Sequence, residues 1–428
     1  MPHSKEFKLA RNVRRIGHLD LPGGGQVVVE GTHAYVGHMK PPHGTSIIDV
    51  SDPANPRVVG QIGLEGDGSH THKVRIVGDL MFVNVEQNDR HFLRKGERLP
   101  QLRADLQGKL GRRPSDAELA AELKVEENEI PTLDAARERG YHDGGFRIYD
   151  IADRTSPRLI HHEKTFGFGV HRFDVDQRYA YISTEMEGWL GNILVIYDLR
   201  DPARPEEVAR WWMPGQHVAG GETPTWRGYT HRLHHAMREG DELWAAVWHA
   251  GIRVLDVTDI TSPKVIGAYD YHPPIPEPTH TVMPVRVPVQ GRRIAIAVDE
   301  EHDHVYGQPH GFIWVLDVSD LADIRPLSTF QLSEMESPWS RSGERFGAHQ
   351  YQEHLDDTLV HSVWFAGGLR ILDVADPFLP REVGHFIPEP VNGHPAPQSN
   401  DVDVDTRGLI YVIDRLQGFD ILEFDGSR

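Results

Sequence analysis

The sequence predicts an all-β fold: a seven-bladed β-propeller closed by its N-terminal strand, with a helical insertion in the second blade. Three observations predict it. First, one phrase recurs along the chain: glycine, a short apolar-rich strand ending in an acid, a polar turn, a proline and a second strand. Second, two further apolar runs lie between successive phrases. Third, the chain begins with a strand that its last unit lacks.

The phrase reads "GTSIIDVSDPANPRVVG" at 44–60 and "GFRIYDIADRTSPRLIH" at 145–161. It returns as "GNILVIYDLRDPARPEEVA" at 191–209, "GIRVLDVTDITSPKVIG" at 251–267, "GFIWVLDVSDLADIRPLS" at 311–328 and "GLRILDVADPFLPREVG" at 368–384. A degenerate copy, "GFDILEFDG", begins at Gly418. Each copy is a strand, a Pro-punctuated turn and a strand. The aligned acids are Asp49, Asp150, Asp198, Asp256, Asp317, Asp373 and Glu423. Asp at a strand end followed by a turn is expected to bond the turn's own amides. Runs such as "HKVRIVGDLMFVNV" (72–85) and "HRFDVDQRYAYIST" (171–184) add two strands to each unit. Seven units of four strands describe a propeller. "RRIGHL" (14–19) matches the outer strand "PRVVGQI" (56–62), and the last unit ends without such a strand, so the N-terminus is expected to close the ring. "GGGQ" (23–26) has no dinucleotide or Walker context and reads as a turn.

These phrases resemble the LVIVD-repeat family, whose repeats carry an apolar-apolar-Asp-apolar-Ser-Asp-Pro core. The resemblance implies a propeller over most of the chain. It implies little about chemistry, because propellers host many functions.

Of 428 residues, 39% are hydrophobic and 25% charged, enough for a large core, and the chain is expected to be one domain, 1–428. The net charge of −19 argues against nucleic acid or an anionic membrane surface as a partner. With no cysteine, thiolate metal sites and a cysteine nucleophile are excluded, and a metal must be held by His, Asp, Glu or backbone oxygen. The first residues show no apolar stretch of signal-peptide length, and a cytoplasmic location is the expectation. Residues 88–143 interrupt the second unit between its second and third strands. "PSDAELAAEL" (114–123) has Ser115 as N-cap and Glu118 at the capping-box position. "ENEIPTLDAARERG" reads as a second helix ending at Gly140. The stretch resembles helix-turn-helix pieces of bacterial sigma factors, yet its acidic surroundings favour a lid or a homo-oligomer contact over DNA binding.

Five units open their inner strand on a histidine: His72, His171, His231, His280 and His349. Asn400 takes the place in the seventh unit and Gln26 in the first. In a propeller these positions meet at one mouth of the central channel, so the five imidazoles are expected to form a metal-binding ring. Second strands return to that mouth and end on Glu86, Glu185, His249, Asp299 with Glu300, and His38. Carboxylates there would accept the outer imidazole N–H and fix its tautomer. Glu86, Glu185, Glu300 and His234 are the candidate catalytic residues. His70, His235, His302, His304, His354 and His394 are further candidates for the mouth. Trp189, Trp226, Trp248, Phe346 and Trp364 are candidates to line it, against a core-packing role.

Nitrogen ligands backed by carboxylates suit Fe, Cu, Zn or Mn. By layout alone the expected site is similar to those of carotenoid cleavage oxygenases and of selenium-binding proteins of the methanethiol oxidase type, with no shared motif. The expectation is a metal-dependent oxidase or oxygenase, Fe(II) preferred, acting on a small, apolar or aromatic molecule. The alternatives are a Zn- or Mn-dependent hydrolase or lyase, and a metal-free interaction scaffold.

Overall fold

The computed structural model describes residues 8–226, 230–302, 304–391 and 393–426. Four sheets have four strands each, three of them in chain order from inside to outside and the fourth with its outer strand from the start of the chain, and a fifth sheet follows chain order with one added strand. The sixth has nine strands: two such units joined by a single pairing, Gly169 with Glu86, and one two-residue strand, Ser69–His70, beside the first unit. Divided there, the strands fall into antiparallel units of four, here called blades 1 to 7. Their innermost strands are Gly24–Glu30, Val74–Val77, Phe166–Val175, His235–Glu239, Thr279–Pro284, Ala348–Tyr351 and Ser399–Val404.

Blade 7 takes its outer strand from the other end of the chain. Val13–Pro22 pairs antiparallel with Gln417–Phe424, Val13 facing Phe424 and Pro22 facing Gln417. The closing strand expected from residues 14–19 is therefore in place. A two-residue strand before it, Ala10–Arg11, adds to the edge of blade 6 opposite Phe386 and His385. The closure removes an open edge that would otherwise template pairing with another chain.

The recurring acid works through its turn. In six copies its Oδ1 accepts the amide N–H two residues on: Ser51, Ala152, Arg200, Thr258, Ser319 and Ala375, at 2.9–3.0 Å. Glu423, in the degenerate copy, instead pairs with Arg14 of the closing strand. The carboxylate fixes the turn and the proline stops the first strand from running on. Between blades the strand faces interlock. Trp244, Val282, Ile296, Phe346, Ala348 and Trp364 belong to one apolar cluster spanning blades 4 to 6. Each fully buried side chain of this size contributes roughly 1.5–3 kcal/mol over an exposed one.

The insertion leaves blade 2 after Leu80–Gln87 and returns at Gly145–Asp150, between the second and third strands. It holds four helices: α1 (Arg90–Glu97), α2 (Leu99–Leu110), α3 (Asp116–Leu123) and α4 (Ile130–Arg139). α3 has the expected capping box: Ser115 Oγ accepts the Glu118 N–H and Glu118 accepts from Ser115. α4 stops at Gly140, whose φ is +68°. Leu99, Leu106, Leu119, Leu123, Ile130 and Leu133 give the insertion a core of its own. Among the described residues no helix is long and apolar enough to cross a membrane.

Candidate metal centre

In five of the blades a β-bulge aims the residue at the ring. In blade 3 Val170 faces Thr184 and Arg172 faces Ser183, leaving His171 without a partner in the ladder. The same extra residue is His280 in blade 5, His349 in blade 6, Asn400 in blade 7 and Gly25 in blade 1. A bulge turns its extra side chain out of the pleat, here onto the channel axis. The first blade therefore presents Gly25 at the ring and not Gln26, whose side chain accepts the Val74 N–H one tier below. A Cβ on Gly25 would meet the His72 carbonyl oxygen at 2.6 Å, so the histidine needs this gap.

Neighbouring imidazoles form an arc: His72 to His171, 5.2 Å between centroids; His171 to His234, 5.2 Å; His234 to His280, 4.2 Å; His280 to His349, 4.5 Å. The member from blade 4 is His234. His231 lies outside the arc, half-buried and stacked on Trp226 at 4.7 Å. The blade 4 strand begins at His235, later than "YTHRLHH" suggests, so the residue that reaches the axis is three positions further on. Burial holds all five arc histidines well below the usual imidazole range, which keeps them neutral. Neutral imidazole is the ligand form.

Their outer nitrogens decide what each offers the axis. His234 Nδ1 faces the His280 carbonyl oxygen at 2.7 Å, and His349 Nδ1 faces that of Asn400. A carbonyl only accepts, so both Nδ1 atoms carry the proton and both Nε2 atoms present a lone pair. His234 Nε2 is buried with no hydrogen-bond partner. His171 Nδ1 is 3.1 Å from Glu86, the carboxylate–imidazole contact expected of an outer shell. His72 is different. Asn84 Oδ1 accepts the Lys73 N–H, so its Nδ2 donates to His72 Nδ1 at 3.1 Å. His72 therefore points an N–H inward and is a donor, not a ligand.

Of the carboxylates, Glu300 is closest to ligation. Its oxygen is 3.9 Å from His349 Nε2 and 2.8 Å from Arg345. Burial alone would raise this carboxyl, but the charge of the neighbouring Arg345 guanidinium helps hold it well below its usual range. His280, Glu300 and His349 offer donor atoms within 4.8 Å of one another. His70, His72 and Glu86 form a similar group. Both His70 nitrogens are engaged there, with the Met39 carbonyl and Glu86, so His70 supports the site from outside. Glu185 does not back a ring histidine: it accepts the Phe168 N–H and pairs with Arg94 of α1 at 2.6 Å. Asp299 is turned away into blade 5, hydrogen-bonded by Tyr271 and Trp314. His38 is engaged by the Pro22 carbonyl and Ser46.

A cavity of about 460 Å³ lies over the arc. Asp89, Arg90 and His91 at the start of α1 form one wall, and Lys40, Lys73, Arg345 and Arg415 reach it from other blades. Arg90 pairs with Glu86 at 2.9 Å. Trp248 is the one tryptophan of the candidate set that lines this cavity. Its φ of +38° is strained for so bulky a residue, and it packs on His234 at 4.9 Å under the Arg232 guanidinium. Phe346 and Trp364 are fully buried core residues, and Trp189 stacks on His217. His302 joins the cavity, His235 lies in the tier below the ring, His354 opens on the far mouth, and His394 is exposed. The guanidinium and ammonium groups on this mouth come from widely separated segments and carry no shared motif, so the sequence gives no hint of them.

The fold and this mouth define a β-propeller with an axial histidine cluster. Residues 24–62, blade 1, match the LVIVD repeat family, as the repeated phrase suggests. No curated protein matches the sequence. Among solved structures, the chain is similar to the periplasmic gluconolactonase of Pseudomonas aeruginosa, with TM-score 0.53, 13% identity, and coverage of 92% of this chain and 89% of that one. It is also similar to the C-terminal WD40 domain of Sif2, with TM-score 0.52, 8% identity, and coverage of 98% and 99%. At these identities the likeness is one of fold alone, shared by a lactonase and a WD40 domain.

Proposed function

We propose that the chain is a metal-dependent enzyme of oxidative chemistry, with its metal held by His234, His280, His349 and Glu300. The observation that carries this is the convergence of donor atoms of His280, Glu300 and His349 within 4.8 Å, with His349 Nδ1 turned to a carbonyl so that its Nε2 keeps a lone pair, and with the unpartnered His234 Nε2 on the ring packed against His280. Histidines with one carboxylate and open positions are the donor set of non-haem Fe(II) oxygenases, and when bound such a metal activates dioxygen or polarises a substrate oxygen.

The remaining residues prepare the substrate. Arg90, Arg345, Arg415 and Lys40 outnumber Glu86, Glu300 and Asp89 on the cavity wall. That lining favours a small anion, a carboxylate or phosphate, over the apolar or aromatic molecule expected from the tryptophans. Guanidinium forks hold such groups bidentately. His72 donates its inward N–H to a substrate oxygen on the axis. Glu86 orients His171 and anchors α1 through Arg90, and α1 keeps bulk water from the cavity. The same ligands would serve zinc or manganese in hydrolysis, with Glu86 as base.

Metal analysis of the purified full chain, with oxygen uptake measured after Fe(II) or Cu(II) loading, tests the proposal. Bound iron or copper with oxygen uptake supports it. Bound zinc without uptake moves the site to hydrolysis, and no metal after loading leaves a scaffold.

The insertion gives a second expected result. Replacing residues 99–139 by a short Gly/Ser linker removes the packing that fixes α1, in which Gly96 lies against the Leu133 backbone. The blade strands remain paired without it, so the variant should fold and load metal as before. A chelator should then extract the metal faster than from the intact chain. An unchanged extraction rate would show that the insertion is not a lid.

A further inference from the structure

A second cluster lies behind the arc, outside the cavity. Glu301 follows Glu300 and is fully buried. Its Oε2 accepts the backbone N–H groups of Phe346 and Gly347, the latter at 2.6 Å. Its Oε1 faces His304 Nδ1 at 3.2 Å and His310 Nδ1 at 2.5 Å. The two imidazoles stack nearly parallel, 5.3 Å apart with 11° between their planes. The three donor atoms lie within 4.8 Å of one another, and both histidine side chains are 8% exposed. On the far side of its ring, His310 Nε2 is 3.2 Å from Glu334, which also accepts the Gly307 N–H at 2.7 Å.

We propose that Glu301, His304 and His310 bind a second, structural cation of the zinc class, with Glu334 as the outer partner of His310. Three features carry it. The sequence order is Glu-x-x-His-x₅-His, and His-x₃₋₅-His is a recurring spacing in zinc sites. The acid is held in place from behind by two amides, so Oε1 is presented to the imidazoles before any metal arrives. The third feature is His310 itself, which turns Nδ1 to the site and Nε2 to a carboxylate; this is the carboxylate–histidine–metal relay that fixes a ligand's tautomer. Ligands about 2.0–2.2 Å from zinc stand over 3 Å apart. The Glu301–His304 separation already meets this, and the Glu301–His310 contact opens by less than 1 Å on binding. Water takes the fourth position. The site is a clip: it ties Glu301, beside Glu300, to Phe346 and Gly347, which lead into His349. It thus braces the two segments that bring a carboxylate and an imidazole to the arc.

The test is zinc stoichiometry on the full chain after chelator treatment, Zn²⁺ loading and desalting. Two equivalents per chain are expected for the wild type. His304→Ala and His310→Ala should each leave one, and His280→Ala should also leave one by losing the other. Glu334→Gln should bind the second zinc about 10–100-fold more weakly with the fold intact by circular dichroism. If the arc binds no metal, the wild type holds one equivalent, lost in His310→Ala and kept in His280→Ala. Zinc content unchanged in both His304→Ala and His310→Ala would overturn the proposal, leaving a metal-free clamp in which His310 bridges two carboxylates.

Discussion

His280→Ala and His349→Ala are each expected to strip the arc of its metal and abolish turnover, while His231→Ala leaves both unchanged. Each of the first two removes an imidazole from the group that converges with Glu300. The neighbouring imidazoles cannot compensate, because their Nδ1 tethers fix where they point. His234 is held by the His280 carbonyl, and His171 by Glu86. His231 shares the sequence signature of the others but stacks on Trp226 away from the axis. Glu86→Gln is the graded control. It keeps the shape and weakens the orientation of His171, so a loss on the order of 10–100-fold in affinity or activity is expected, smaller than the loss of a ligand. Metal content and turnover measured on the four variants check the ranking. If His231→Ala were as damaging as His280→Ala, the arc would be misassigned.

The contrast between His231 and His234 also shows what the sequence can and cannot convey. Repeats, turns and closure were legible because each is a local rule: an Asp bonds an amide two residues on, a proline ends a strand, a missing strand must be supplied. The mouth was legible because inner strands share an orientation. Its register was not. A bulge adds one residue to one strand only, and nothing in "LPGGGQV" marks which residue is extra, just as nothing in "YTHRLHH" marks where the strand begins. So blade 1 presents Gly25 in place of Gln26, whereas in blade 4 the strand starts later than the sequence suggests and His234 reaches the axis in place of His231. α3 announced itself by its capping box, whereas α1 begins at Asp89 without a side-chain cap and was hidden. The Glu301 cluster depends on amides contributed by Phe346 and Gly347, far along the chain. No spacing rule links those segments.

The largest loss of stability is expected below the arc, from Glu353→Ala. The channel there is filled with charge. Glu353 accepts from Arg172 at 2.5 Å, from Gln350 at 2.9 Å and from Arg75, which also pairs with Asp174 at 2.9 Å. Arg172 is 1% exposed, and one of its terminal nitrogens already has no hydrogen-bond partner. Burial would raise the Glu353 carboxyl, but Arg75 and Arg172 hold it below its ordinary value of 4.5. Removing it leaves Arg172 buried without its carboxylate, a change that costs about 3–5 kcal/mol when a buried pair is broken from one side. The pair Arg172→Met with Glu353→Leu should recover most of that loss, because apolar residues of similar volume often replace buried ion pairs at little cost. The pH dependence has a fixed sign. A carboxylate with a depressed folded-state value stabilises fully above its unfolded value, and the contribution fades as the pH falls through the folded one. The gap between wild type and Glu353→Ala should therefore be widest above pH 4.5 and narrow in acid. Urea unfolding midpoints at neutral and acidic pH measure it, and a gap that stayed constant would mean Glu353 acts by packing and not by charge.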